Sequence, residues 1–265
     1  MQVVLIIIIL IIIFAIIILC ASNKQQITNF LISTNPMYYQ GSLYWMDLIL
    51  GNQTFRVLLD TGSNLVIIAG DTCNTCQSGA TLPVNKNDPG DLTASYGGGQ
   101  QIRYNNESMY APQFGKNINV SVISSGTNPQ GTVNNILGLL DPDLGLKTLV
   151  LDFPNMNILF NAPLRNSGIS TPLVKSSYLA FQINGYQDVN MIVLDTGANY
   201  VLTSDLQFPQ GFNFMVGNTQ ISVPPDLIRS GQNIAAGSVV IGNLLLSKYR
   251  WEIDFTNSKI WVYNN

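Results

Sequence analysis

Beyond residue 37 the chain alternates short stretches of Val, Ile, Leu, Phe and Tyr with Gly, Pro, Asn and Asp, and almost no stretch holds a helical period. That pattern predicts an all-β protein. Strands are expected over residues 42–50, 55–59, 64–69, 117–123, 156–160, 177–183, 191–194, 212–216, 239–241 and 251–255. Only 143–152 and 244–249 carry helical spacing, and both are short. The polar stretch 161–170 is the candidate linker between two halves.

The N-terminal pattern is different. Val3 to Leu19 is an unbroken apolar run dominated by Ile, closed by Cys20, Ala21 and Ser22. It reads as a secretory signal over residues 1–21 with Ala21 at the cut, or as an uncleaved anchor, since its length is close to a bilayer span. Residues 22–37 then form a short pro-segment or linker. The expected route is the secretory pathway, ending outside the cell or in a vacuole or lysosome, with the membrane met only through an uncleaved signal segment.

A repeat changes the picture most. Residues 57–67, Val-Leu-Leu-Asp-Thr-Gly-Ser-Asn-Leu-Val-Ile, align without gaps on residues 192–202, Ile-Val-Leu-Asp-Thr-Gly-Ala-Asn-Tyr-Val-Leu. A weaker echo pairs Asn135-Ile136-Leu137-Gly138 with Val239-Val240-Ile241-Gly242. In each copy an apolar strand delivers an Asp, a Thr and a Gly into a turn, so Asp60 and Asp195 each stand on a rigid, largely buried base. One such turn is ordinary local structure. Two in matching apolar frames imply a duplicated unit, and if the turns meet about a twofold axis their carboxylates cannot both ionise cheaply, so one proton is shared.

Composition narrows the chemistry. The 265 residues contain no His, which removes the usual general base of Ser and Cys hydrolases and the commonest zinc ligand. A net charge of −3 offers no basic face for a phosphate backbone, so nucleic acid is not an expected partner. No cofactor and no metal are implied. Past the signal only Cys73 and Cys76 remain; a small loop-closing disulfide in an oxidising compartment is the favoured reading, and a C-x-x-C redox motif the alternative. Asn52, Asn106 and Asn119 each open an N-x-S/T triplet, which fits glycosylation on exposed turns.

With both Asp-Thr-Gly copies in view, the sequence resembles the pepsin-like aspartic endopeptidases over nearly all of Tyr38 to Val262. The resemblance rests on Asp60-Thr61-Gly62-Ser63, on Asp195-Thr196-Gly197-Ala198, and on Val239-Val240-Ile241-Gly242-Asn243 running to Trp251-Glu252-Ile253-Asp254-Phe255. It implies a bilobal all-β fold, with an N-terminal lobe at 38–165, a C-terminal lobe at 166–265 and a cleft between them. It further implies a monomer that hydrolyses a polypeptide substrate at acidic pH. Asp60 and Asp195 would be the catalytic pair, Thr61 and Thr196 would lock the turns, and Ser63 would hydrogen-bond the Asp60 carboxylate. Ser95-Tyr96-Gly97-Gly98-Gly99 resembles the tip of the family's substrate-binding flap, and Cys73 and Cys76 stand where many members carry a small disulfide loop.

Departures accompany the match. Ala198 replaces a hydroxyl residue, Ile67 stands for the Trp that anchors the flap Tyr, and Asn243 stands where Asp is frequent. Only 70 residues follow Asp195, so the second lobe is short. The alternative reading is a protease-shaped module that binds peptides or inhibits other enzymes without turnover. A carboxylate-pair glycosidase would share the two acids but would not require Thr-Gly after each.

Overall fold

The computed structural model describes residues 34–76, 79–84, 92–96, 99–127, 133–165, 167–174, 178–183, 189–204, 208–231 and 234–264. The apolar run 3–19, Cys20, residues 22–33 and Gly97 of the expected flap lie outside the described residues. The protein is all-β, as the residue pattern predicts. Two large sheets account for nearly all of the strands among the described residues.

The first has eight strands in the order Tyr38–Gln40, Leu43–Leu50, Gln53–Asp60, Ile136–Gly138, Val66–Ala69, Lys116–Thr127, Gln101–Ala111 and Leu92–Ser95. The second has eleven: Thr34–Pro36, Asn157–Phe160, Thr148–Asp152, Arg250–Asp254, Lys259–Tyr263, Thr171–Val174, Ala180–Gln182, Met191–Leu194, Ser238–Ile241, Val201–Thr203 and Ile228–Ser230. A separate hairpin joins Phe212–Val216 to Thr219–Val223. The eleven-stranded sheet draws strands from both sides of residue 165. Across that division Thr148–Asp152 pairs with Arg250–Asp254 in full antiparallel register.

The sequence repeat is a repeat of topology. Gln53–Asp60 runs parallel to Ile136–Gly138; Val66–Ala69 lies antiparallel to that strand on its other side and parallel to Lys116–Thr127. Met191–Leu194 likewise runs parallel to Ser238–Ile241; Val201–Thr203 lies antiparallel to it and parallel to Ile228–Ser230. In each unit the turn after the Asp leaves one strand, and the chain re-enters on the far side of the strand between. Gly138 and Gly242 lie where this turn presses on the middle strand, with the Leu65 and Tyr200 carbonyls directly against them.

Burial explains why these segments become strands. Val57, Leu59, Val66, Ile68 and Leu137 in the first unit, and Ile192, Leu194, Val201, Val239 and Ile241 in the second, are essentially inaccessible and belong to one continuous apolar core. That core also holds Trp251, Phe55, Phe160 and Phe181. Each such side chain contributes roughly 1.5–3 kcal/mol by leaving water. A smaller cluster of Leu58, Ile67, Ile102, Tyr104, Ile123, Val133 and Ile136 fills the opposite face of the eight-stranded sheet.

The helical expectation for 143–152 is corrected. Pro142–Leu144 is a 3-10 turn that ends at Gly145 in the left-handed region, and Thr148–Asp152 is a strand. Leu149, Val150 and Leu151 are buried on both faces of a central strand, so no alternation marks them, and a short apolar run of this kind suits helix and strand equally. The other helical expectation, 244–249, is met in part: the helix is Asn243–Leu246, and residues 247–249 form a turn before the next strand. The candidate linker is tied down at both its first residues and Arg165: the Asn161 carboxamide oxygen accepts from Lys147 N–H at 2.7 Å, and Arg165 N–H donates to buried Glu252 at 2.8 Å. Arg250 links that Glu252 carboxylate to Asp152 on the neighbouring strand.

The two crossing glycines give a test of this packing. A methyl group added at Gly138 would sit 2.4 Å from the Leu65 carbonyl oxygen, and one at Gly242 would sit 2.4 Å from that of Tyr200. Backbone cannot move aside as a side-chain tip can, so Gly138→Ala and Gly242→Ala should each lose about 2–3 kcal/mol of stability in urea unfolding.

Candidate active site

The two Asp-Thr-Gly turns meet. Thr61 N–H donates to the Thr196 hydroxyl oxygen at 2.9 Å, and Thr196 N–H donates to the Thr61 hydroxyl oxygen at 3.0 Å. Each hydroxyl in turn donates across to the strand that feeds the opposite turn: Thr61 to the Leu194 carbonyl and Thr196 to the Leu59 carbonyl, both at 2.8 Å. Both threonines are fully buried. Four hydrogen bonds thus close a symmetric lock between residues 135 positions apart, with no polar atom of either hydroxyl left unmade.

The lock fixes what stands beside it. A methyl group at Gly62 would lie 2.8 Å from the Asp195 carboxylate, and one at Gly197 would lie 2.8 Å from the Asp60 carboxylate. Each glycine is therefore the floor under the other copy's acid, and any side chain there would displace it. The Asp60 and Asp195 carboxyls reach each other within hydrogen-bonding contact. Each also accepts one N–H from its own turn, Gly62 to Asp60 at 2.7 Å and Gly197 to Asp195 at 2.8 Å.

Two neighbouring carboxyls, Asp60 buried and Asp195 half-buried, are poor anions. Burial pushes Asp60 well above the ordinary carboxylate range, the neighbouring Asp195 charge adds to it, and the Gly62 N–H opposes. Asp195 is raised too, again by burial first, with the N–H groups of Gly197 and Ala198 opposing. No cation contributes to either shift. One proton held between the two is the arrangement this environment favours.

Around the pair, the remaining predicted residues are placed as follows. Ser63 was expected to hydrogen-bond Asp60; instead its hydroxyl turns to the Leu65 backbone, accepting from the amide at 3.3 Å and donating to the carbonyl at 3.5 Å. The local turn offers both a donor and an acceptor two residues on, which the carboxylate cannot. Tyr96 packs on the smaller apolar cluster together with Trp45 and Leu65, over the wholly buried Ile67. Its phenol is buried near Ser63 and Asp60, close enough to feel both yet without a hydrogen bond of good geometry. Burial pushes it up to about 12, opposed by the Ser63 hydroxyl and reinforced by Asp60. Cys73 and Cys76 form a disulfide. Asn52, Asn106 and Asn119 are all exposed.

Asn243 is a residue whose role sequence reasoning left without an account. It is fully buried, and its amide donates to the Thr196 carbonyl at 2.7 Å and to the Ser42 carbonyl at 3.4 Å. Two carbonyl acceptors require a donor here, so an amide is suited and a carboxylate is not. The signal was its position beside Gly242 in the second echo, but spacing alone does not show what a side chain faces. Asn199, repeated as Asn64 in the first copy, has its side-chain oxygen buried with no donor.

A scan against protein-family models matches no family, and a search of curated proteins returns no match.

The lock and the acid pair make two predictions. Thr61→Val leaves the Thr196 amide and the Leu194 carbonyl buried without partners and should cost about 3 kcal/mol, whereas Thr61→Ser, which keeps the hydroxyl, should cost less; urea unfolding separates them. The acid pair sets the sign of a pH dependence. Both carboxyls have folded pKa values raised above the unfolded value of about 3.9. The stabilising protonated form is complete below that value, so stability should fall as pH rises above it and towards the raised folded values. Asp195→Asn removes one titration and should flatten the loss by up to about 1.4 kcal/mol per pH unit per proton, read from thermal melts between pH 4 and 7.

Proposed function

We propose that the protein is an aspartic endopeptidase of the pepsin-like kind, with its two halves as lobes and the acid pair at the base of the cleft between them. The observation that supports this reading is the mutual threonine lock, which holds two largely desolvated carboxyls side by side. A turn that only had to fold would not need its partner's Gly as a floor for its Asp. The duplicated unit and the strands shared between the halves in the eleven-stranded sheet fit a bilobal arrangement.

In this mechanism a water lies between the carboxyls. The ionised carboxylate takes a proton from it as the water oxygen bonds to the scissile carbonyl carbon, while the protonated partner gives its proton to the carbonyl oxygen. The tetrahedral diol collapses when the pair gives its proton to the peptide nitrogen and takes one from a diol hydroxyl; the C–N bond breaks, the carboxyl C=O forms, and the pair is left with one proton again. Chemistry requires the singly protonated pair, so activity falls at low pH as the second carboxyl protonates and at high pH as the shared proton leaves. Tyr96, just past the strand Leu92–Ser95 and with its phenol near Ser63 and Asp60, is suited to cover the substrate, and no cofactor is needed for the reaction so described. A module that binds peptides without turnover would keep the lock but not need the raised, proton-sharing pair.

Asp60→Asn and Asp195→Asn should each lower turnover of an unstructured protein by at least a thousandfold or so while the chain stays folded. Retained cutting in either variant would refute the mechanism. Ala198→Thr supplies a hydroxyl that favours the charged form of Asp195, so the acid limb of the pH–rate profile should move down; an unmoved limb would show that the missing hydroxyl does not set it.

A further inference from the structure

We infer that the Asp195 side of the pair carries a subsite for an acidic side chain of the bound peptide, recognised by the Arg229 guanidinium and held in place by Tyr200. The inference rests on the reading of the site as one that takes a polypeptide.

Its placement follows from the repeat. Leu65, the fifth residue after Asp60, packs on the cluster that carries Tyr96 and so flanks the Asp60 side. Tyr200 is the fifth residue after Asp195 in an equivalent unit, pressed by the same kind of contact on Gly242 as Leu65 makes on Gly138, and the residue is 38% exposed. The parallel pairing of Val201–Thr203 with Ile228–Ser230 then delivers Arg229 to it. The guanidinium lies 4.5 Å from the centre of the Tyr200 ring.

Arg229 is both fixed and unspent. Its Nη1 donates to the carbonyls of Asp226 at 2.8 Å and Ile228 at 2.7 Å, and the ring supports its face. Arg56, Arg165 and Arg250 each have a carboxylate within ion-pair distance, whereas among the described residues Arg229 has none. A cation immobilised at an exposed edge without a counter-charge is prepared for one that arrives from outside, and a guanidinium edge suits a carboxylate best. The second observation is Asn199, next to Tyr200, whose buried side-chain oxygen lacks a donor. A peptide N–H would satisfy it while the side chain of the same segment reaches Arg229. Asp226, whose carbonyl Arg229 holds, and Asp195 at the head of the same unit are both acidic, so Arg229 is what would make an acidic side chain acceptable.

The test uses peptides identical except for Glu or Gln, placed in turn at each position around the cut bond. kcat/KM is measured for each pair, and Kd for the same pairs made uncleavable by a reduced amide. Glu should be preferred at one position by roughly five- to tenfold, with the preference weakened by 0.5 M salt, abolished in Arg229→Gln and reduced in Tyr200→Leu. Absence of any Glu preference, or its survival in Arg229→Gln, overturns the subsite. A wild type that cuts neither peptide defeats the peptidase reading instead, and Kd then decides: a Glu preference lost in Arg229→Gln upholds the subsite, while equal affinities or no binding overturn it.

Discussion

The structure depends on a buried exchange of hydrogen bonds between two threonines. Thr61 and Thr196 each donate a backbone N–H to the other's hydroxyl and a hydroxyl to the other's incoming strand. Any one of these polar groups, left alone in that interior, would cost about 1–3 kcal/mol. Together they leave nothing unpaired, and the arrangement is reached only when both turns are formed and face each other. The lock thereby converts two ordinary turns into one site. Carboxyls that would ionise independently on separate surfaces are held side by side in a largely desolvated setting, with no cation among the causes that shift them, and become reluctant anions.

That constraint propagates outward. Gly62 and Gly197 have to be glycine because each lies under the other copy's carboxylate, and Gly138 and Gly242 because the turns press on the middle strand of each unit. Asn243 extends the lock by gripping the Thr196 carbonyl from behind and reaching to the Ser42 turn 201 residues away. The eleven-stranded sheet carries the load between halves, since Thr148–Asp152 and Arg250–Asp254 pair directly and Arg250 bridges Asp152 to Glu252 across them. Small shifts at either end would be felt at the acids, because every intermediate element is packed or hydrogen-bonded to its neighbour.

Much of this was legible in the residues. The period of the apolar positions gave the fold class, and the gap-free repeat around Asp60 and Asp195 gave the unit and the meeting of its turns. Other parts were hidden for physical reasons. Gln101–Ala111 was missed as a strand because Arg103, Asn105, Asn106, Glu107 and Ser108 dilute its apolar signal on a largely solvated face. Thr148–Asp152 was misread because a strand buried on both faces has no alternation. The Ser63 hydroxyl, expected on Asp60, follows the nearer backbone of Leu65. The stacking of Arg229 on Tyr200 joins residues with no shared motif; only the parallel pairing of their strands brings them together.

The account is tested most directly by titrating the carboxyl carbons of Asp60 and Asp195 by NMR in the intact protein. A locked pair predicts two coupled steps, with the upper one displaced far above the usual carboxylate range and sensed by both residues. Two independent curves with midpoints near about 3.9 would mean that the acids do not share a proton, and would contradict it.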